Sequence, residues 1–174
     1  FEGINFSYST WNVPERERYF IDAQANVRNS NLSVWLDRKV MDGAVEVRGG
    51  DNIRFIANTF SHLGSAGLTF DYCSSNNLVE GNIFTDISGN GVQIGNINRE
   101  NATTNDLRAI PTNNRIISNY ITNVACEYKG GVGITLLYAR NTTVSHNEIH
   151  NLPYTGISSG WGWGAADGPD NKSG

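Results

Sequence analysis

An all-β solenoid, a parallel β-helix of about four to five rungs, is the fold this sequence predicts, and three observations predict it. First, one phrase recurs: glycine plus an aliphatic residue opens a short strand, as in Gly67-Leu68, Gly91-Val92, Gly133-Ile134 and Gly156-Ile157. Second, an asparagine set between apolar residues follows each time, at Asn58, Asn82, Asn119 and Asn147. Third, the spacing is regular: Asn58 to Asn82 is 24 residues, Gly67 to Gly91 is 24 and Gly133 to Gly156 is 23. A fixed period in this range marks a stacked repeat.

The elements follow in order. Residues 1–11 carry one strand-like run, Ile4, Phe6 and Tyr8, and read as an incomplete first rung. Residues 12–43 break the rhythm and read as a large insertion. Residues 44–164 hold the regular rungs, where Val45, Val47 and then Ile53, Phe55 alternate with polar residues at the strand period of two. Glycine, asparagine and serine punctuate the runs, which favours strands joined by tight turns. No regular repeat offers the length of helical periodicity that a crossover helix needs. Three short strands in about 23 residues make one rung, each strand pairing with its equivalent about 4.8 Å along the axis.

The asparagine phase gives the rung an inside. If Ile53, Phe55, Asn58 and Phe60 point inward, Asn58, Asn82, Asn119 and Asn147 stack at one internal corner. Amides stacked in this way bond from rung to rung and satisfy groups that are costly to bury bare. Asparagine is also common in turns, but its regular place between apolar residues favours the ladder. Asn82 to Asn119 is 37 residues, so roughly a dozen extra residues form a loop within 96–114. Residues 165–174 are a polar tail. The rung begun at Gly156 lacks its later strands, and an uncapped rung exposes strand edges, so a piece of a longer protein is expected.

Composition narrows the function. A chain of 174 residues with 39% hydrophobic and 17% charged residues is a folded single domain. Its net charge of −4 argues against nucleic acid as a partner, and no apolar run is long enough to span a membrane. Cys73 and Cys126 fall at different phases of the repeat, so they are expected to stay unpaired, and two cysteines do not define a zinc site. Gly89-Asn90-Gly91 with Gly95 opens no helix, so a dinucleotide site is rejected.

The repeats, with the run from Asn147 through Gly156-Ile157-Ser158-Ser159-Gly160 to Trp161-Gly162-Trp163-Gly164, resemble the right-handed parallel β-helix proteins of the pectate-lyase-like superfamily, nearest to the β-helical glycoside hydrolases. The likeness covers most of residues 44–164. It implies a carbohydrate-active enzyme, a polysaccharide or oligosaccharide partner, a secreted or cell-surface location (a periplasmic one included) and further rungs after the tryptophan segment. It is specific for fold and poor for chemistry, because such folds host many activities.

In such proteins function lies on the outer face of one sheet beside inserted loops. Alternation puts Glu46, Arg48, Thr69, Asp71, Gln93, Thr135 and Ser158 outward on the opening strands. Asp71 is the first candidate carboxylate, beside Arg48 and facing open space at Gly95; Glu127 is the second, in the turn before Ile134. Glycosidases need two carboxyl groups across the scissile bond, and rung spacing places these two roughly 7–10 Å apart. Arg48, Gln93, Tyr138, Trp161 and Trp163 are the substrate-binding candidates, the tryptophans as platforms for sugar rings. The bland alternatives are a salt bridge for Asp71 and a solvated turn for Glu127. His146, Glu148 and His150 alternate but do not form a metal motif, so neither metal nor cofactor is expected. The leading function is a glycoside hydrolase. A polysaccharide lyase or epimerase is less favoured, since one arginine and no aspartate cluster mark the outer face. A non-catalytic binding or surface module is the third reading.

Overall fold

The computed structural model describes residues 1–17, 19–21, 25–29, 38–97 and 104–160. The chain is all-β, with mostly parallel strands laid in stacked sheets. Its strands are β1 (Asn5–Ser9), β2 (Tyr19–Ile21), β3 (Asn26–Asn29), β4 (Arg38–Val40), β5 (Gly43–Arg48) and β6 (Arg54–Ile56). Then come β7 (Thr59–Leu63), β8 (Ala66–Asp71), β9 (Leu78–Glu80), β10 (Ile83–Ile87), β11 (Val92–Gly95) and β12 (Arg115–Ile117). The last are β13 (Tyr120–Val124), β14 (Ile134–Leu137), β15 (Thr143–Ser145), β16 (Glu148–His150) and β17 (Ile157–Ser159).

Apart from β2–β4, these strands enter three parallel sheets in strict rotation. The first sheet runs β1-β7-β10-β13-β16, the second β5-β8-β11-β14-β17 and the third β6-β9-β12-β15. The register keeps the 24-residue offset read from the sequence: Phe60 pairs with Phe84, and Leu68 with Val92. A parallel β-helix is compatible with this rotation. The insertion is more ordered than its sequence suggests. It holds a five-residue helix α1 (Val13–Glu17) and a small antiparallel sheet, β2-β3-β4.

Side chains from all three sheets meet in one core. Phe6, Phe60 and Phe84 stack face to face, with centroids 4.8 and 4.6 Å apart, and Ile121 and Ile149 extend the same column. Phe60 and Phe84 are fully buried, each stabilising the fold by about 1.5–3 kcal/mol.

The asparagine ladder is present as expected. Each amide nitrogen donates to the next Oδ1 at 2.9 Å, from Asn58 to Asn82 to Asn119 to Asn147. A second ladder escaped the sequence reading. Asn77 donates to Asn114 at 3.0 Å, and its own Oδ1 accepts the Ile53 N–H. Both cysteines are free, and burial pushes the Cys126 thiol up, followed by the nearby charge of Asp86.

The opening glycines have a different cause from the turn chemistry that the sequence suggests. Gly67, Gly91 and Gly133 do not adopt positive φ. A Cβ on Gly67 would stand 2.7 Å from the Gly91 carbonyl oxygen; on Gly91 or Gly133 it would stand 2.6 Å from the oxygen of Gly133 or Gly156. Glycine is needed here because neighbouring backbones close on that position. Gly91→Ala is therefore expected to destabilise the fold by on the order of 2–3 kcal/mol through a forced backbone shift. Gly156→Ala meets only Ile149 side-chain atoms, at 3.6 Å, and should be nearly neutral. Urea denaturation of the two variants checks this, and equal midpoints would refute the packing explanation.

Candidate functional site

Two clefts flank the outer face of the second sheet. That face is not the open platform expected. Gln93 is fully buried: its Nε2 donates to Met41 O at 2.7 Å and Thr69 Oγ1 at 2.6 Å, and its Oε1 accepts from Asn90. Thr69 and Thr135 are buried as well. The insertion causes this, since Val27 and Met41 form a small second core with Ala66 against the sheet. Gln93 thus anchors the insertion and is not open to substrate.

The smaller cleft, about 200 Å³, holds Glu46, Arg48 and Asp71 beside residues 39–42. Asp71 is buried and fully engaged. It accepts Asn96 Nδ2 at 3.1 and 3.2 Å and the Tyr72 N–H at 2.7 Å, and Arg48 Nε lies 3.8 Å away. The space expected beside it at Gly95 is filled by Asn96. Gly95, at φ +92°, has no room for a side chain, since a Cβ there would collide with Leu137 O.

The larger cleft, about 410 Å³, opens at the ends of β1, β7 and β10 and includes Glu127. Its size is that of an ordinary ligand pocket, about 300–1,000 Å³. The two expected catalytic carboxylates therefore line different clefts. Asp71 ends β8, whereas the Glu127 N–H bonds to Ser88 O ahead of β11. The six-residue length of β8, about 20 Å, separates those two levels. The rung count placed them close because it ignored position along the strand.

Local backbone geometry builds the floor of the larger cleft. Tyr8, His62, Asp86 and Asn123 occupy one register position of the first sheet, and all are left-handed, with φ of 62°, 55°, 51° and 50°. Each non-glycine residue held so costs about 1–2 kcal/mol. The kink turns these side chains out and returns Leu63, Ile87 and Val124 to the core. It also ranks Tyr, His and Asp along one edge. The Tyr8 ring stacks on His62 with centroids 4.9 Å apart. His62 Nδ1 is hydrogen-bonded to Asp86 Oδ2; an ionised carboxylate only accepts, so the imidazole N–H donates.

Trp11 and Tyr128 form an aromatic corner, edge to face at 5.4 Å. The Trp11 indole N–H donates to Asp42 Oδ2 at 2.7 Å, which fixes the ring. Burial pushes the Tyr128 phenol up, with Glu127 adding to it, so it stays protonated as a donor.

Sequence reasoning missed Trp11, His62, Asp86 and Tyr128. One signal was legible, since His62 and Asp86 stand 24 residues apart, the repeat itself. Tyr138 is buried and lines neither cleft. Trp161 and Trp163 lie outside the described residues. His146, Glu148 and His150 do not converge on a metal site: His150 bonds Tyr120 Oη at 3.0 Å, and among the described residues no three metal-binding side chains cluster.

A solved structure described as a glycoside hydrolase resembles this chain at 29% sequence identity. The match has a TM-score of 0.76 and covers 91% of this chain and 30% of that one. This chain thus spans about a third of the protein that it resembles. No family model and no curated protein matches it. Among the described residues no helix is long and apolar enough to cross a membrane.

Proposed function

We propose that this chain is part of a glycoside hydrolase acting on a polysaccharide or oligosaccharide. The observation that carries the reading is the likeness, at 29% identity over 91% of the chain, to a structure described as a glycoside hydrolase. In this reading the three parallel sheets close into a right-handed β-helix of the pectate-lyase-like kind, and the protein works outside the cell.

The larger cleft supports the chemistry. Glycoside cleavage needs one carboxyl group to protonate the leaving oxygen and a second to act as base or nucleophile. Asp86 and Glu127 both line that cleft, with aromatic faces beside them for a sugar ring. Glu127 keeps its place in the carboxyl pair, and Asp86, held in position by His62, replaces Asp71 as its partner. Asp71 leaves the proposal, because its oxygens already serve Asn96, Tyr72 and Arg48. Arg48 stays with it as an ion-pair partner. A lyase or epimerase acting on uronic acids is less well supported, since no lysine or arginine stands among the described residues of the larger cleft.

The test is release of new reducing ends by the full-length protein from plant and algal polysaccharides. Hydrolysis that yields saturated products supports the proposal. Unsaturated products would establish the lyase reading, and binding without any cleavage would establish the binding module.

A further inference from the structure

We propose that the larger cleft selects an uncharged sugar, stacked on Trp11 and hydrogen-bonded by the His62–Asp86 pair, and turns away uronates. The inference rests on the carbohydrate reading above and deepens it by naming the substrate class.

The first ground is charge. Two carboxylates, Asp86 and Glu127, line the cleft, and no lysine or arginine does so among its described residues. The nearby Lys129 ammonium is turned onto the Cys126 carbonyl. A third carboxylate, Asp42, holds the edge of the Trp11 ring. Among the described residues of the lining His62 is the only basic group, and its Nδ1 is already given to Asp86. A uronate carboxylate entering this site meets like charges with no partner, and unpaired like charge is how sites reject a ligand. Sites built for carboxylates instead carry arginine, whose fork matches them.

The second ground is shape and polarity. Trp11 is half-buried, backed by the Val27, Met41 and Ala66 cluster and held by its N–H, and the part of it that lines the cleft suits the apolar face of a pyranose. Sugar hydroxyls both donate and accept. Asp86 and Glu127 accept from them, and Tyr128, Ser9 and Ser88 donate or accept at the rim. His62 Nε2 is the acceptor when Nδ1 carries the proton. Among the described residues of the lining, the polar side chains are ones that neutral hydroxyls can serve.

The test is calorimetric titration of the full-length protein with cellohexaose, xylohexaose and hexagalacturonate at low salt. At least one neutral probe is expected to bind at least tenfold tighter than hexagalacturonate, with the gap narrowing as salt screens the repulsion. Trp11→Ala should weaken the neutral probe at least tenfold. Glu127→Gln removes one of the like charges and should narrow the gap between hexagalacturonate and the neutral probe at least tenfold. Circular dichroism and thermal melting check that both variants are folded, and Tyr128→Ala replaces Trp11→Ala if that variant is not. Equal or tighter binding of hexagalacturonate overturns the proposal, as does binding of no probe at millimolar concentration. Selective binding without hydrolysis would sink the hydrolase reading and leave this one standing.

Discussion

Glu127→Gln and Asp86→Asn are each expected to lower turnover of the full-length protein by roughly two to four orders of magnitude, the range for loss of a general acid or base. Both side chains are exposed at the cleft, and neither anchors the core, so the fold should survive. Asp71→Asn is expected to behave in the opposite way. Its carboxylate is buried and accepts three hydrogen bonds. An amide there presents an NH2 group where an acceptor is needed, which costs about 1–3 kcal/mol of stability. Turnover should change little. The three variants thus separate by assay: turnover falls for two, and melting temperature falls for the third. Should Asp71→Asn abolish turnover at unchanged stability while the other two keep it, the chemistry belongs to the smaller cleft.

Asn82→Ala carries the largest expected loss of stability. The Asn82 side chain makes four hydrogen bonds in the interior. Its nitrogen donates to Phe55 O and to Asn119 Oδ1, both at 2.9 Å, and its oxygen accepts the Asn58 backbone and side-chain N–H groups, also at 2.9 Å. Alanine leaves those partners bare in the core, where each unsatisfied group costs about 1–3 kcal/mol. The total, on the order of 3–6 kcal/mol, rivals the whole stability of a domain, about 5–15 kcal/mol. Asn82→Asp should fare no better, since a carboxylate cannot donate to the Phe55 carbonyl. Asn147→Ala, at a half-buried end of the ladder, should cost less. Urea unfolding of these variants provides the measurement, and an Asn82→Ala protein within about 1 kcal/mol of the parent would show that the ladder is incidental.

The likeness to a glycoside hydrolase and the cleft geometry have separate grounds. The first concerns the path of the backbone over nearly the whole chain. The second depends on a few side chains at the ends of β1, β7 and β10, where backbone strain turns Tyr8, His62 and Asp86 outward. Left-handed residues are tolerated at such cost where the surroundings over-determine them, and they gather at functional sites. Some other left-handed positions are filled more cheaply, as by Asn52, Asn76, Asn113 and Asn141, the residue type best suited to that conformation, whereas Ala57, Cys73, Ser118, Ala125, Tyr138 and His146 hold it without that advantage.

By itself the sequence determined the strands of the regular repeat, their parallel register and the internal asparagine ladder. These depend on a repeat, and a repeat is visible as spacing: Asn58 and Asn82 stack because 24 residues carry the chain once around to the same place. The separation of the cysteines follows from the same spacing. Only the tertiary structure decided the site. Residues 12–43 have no period, so nothing in their sequence says that Met41 and Val27 lie over Gln93 and close the expected sugar face. Glu127 and Asp71 have compatible rung numbers, yet distance along the strand sets them on different clefts. The His62–Asp86 pair keeps the period but needs a left-handed kink to face outward, which simple alternation does not register. Contacts within the repeat are fixed by translation from one strand to the next. The site arises where the insertion and a turn meet the sheet ends, and that meeting depends on packing between segments far apart in the chain.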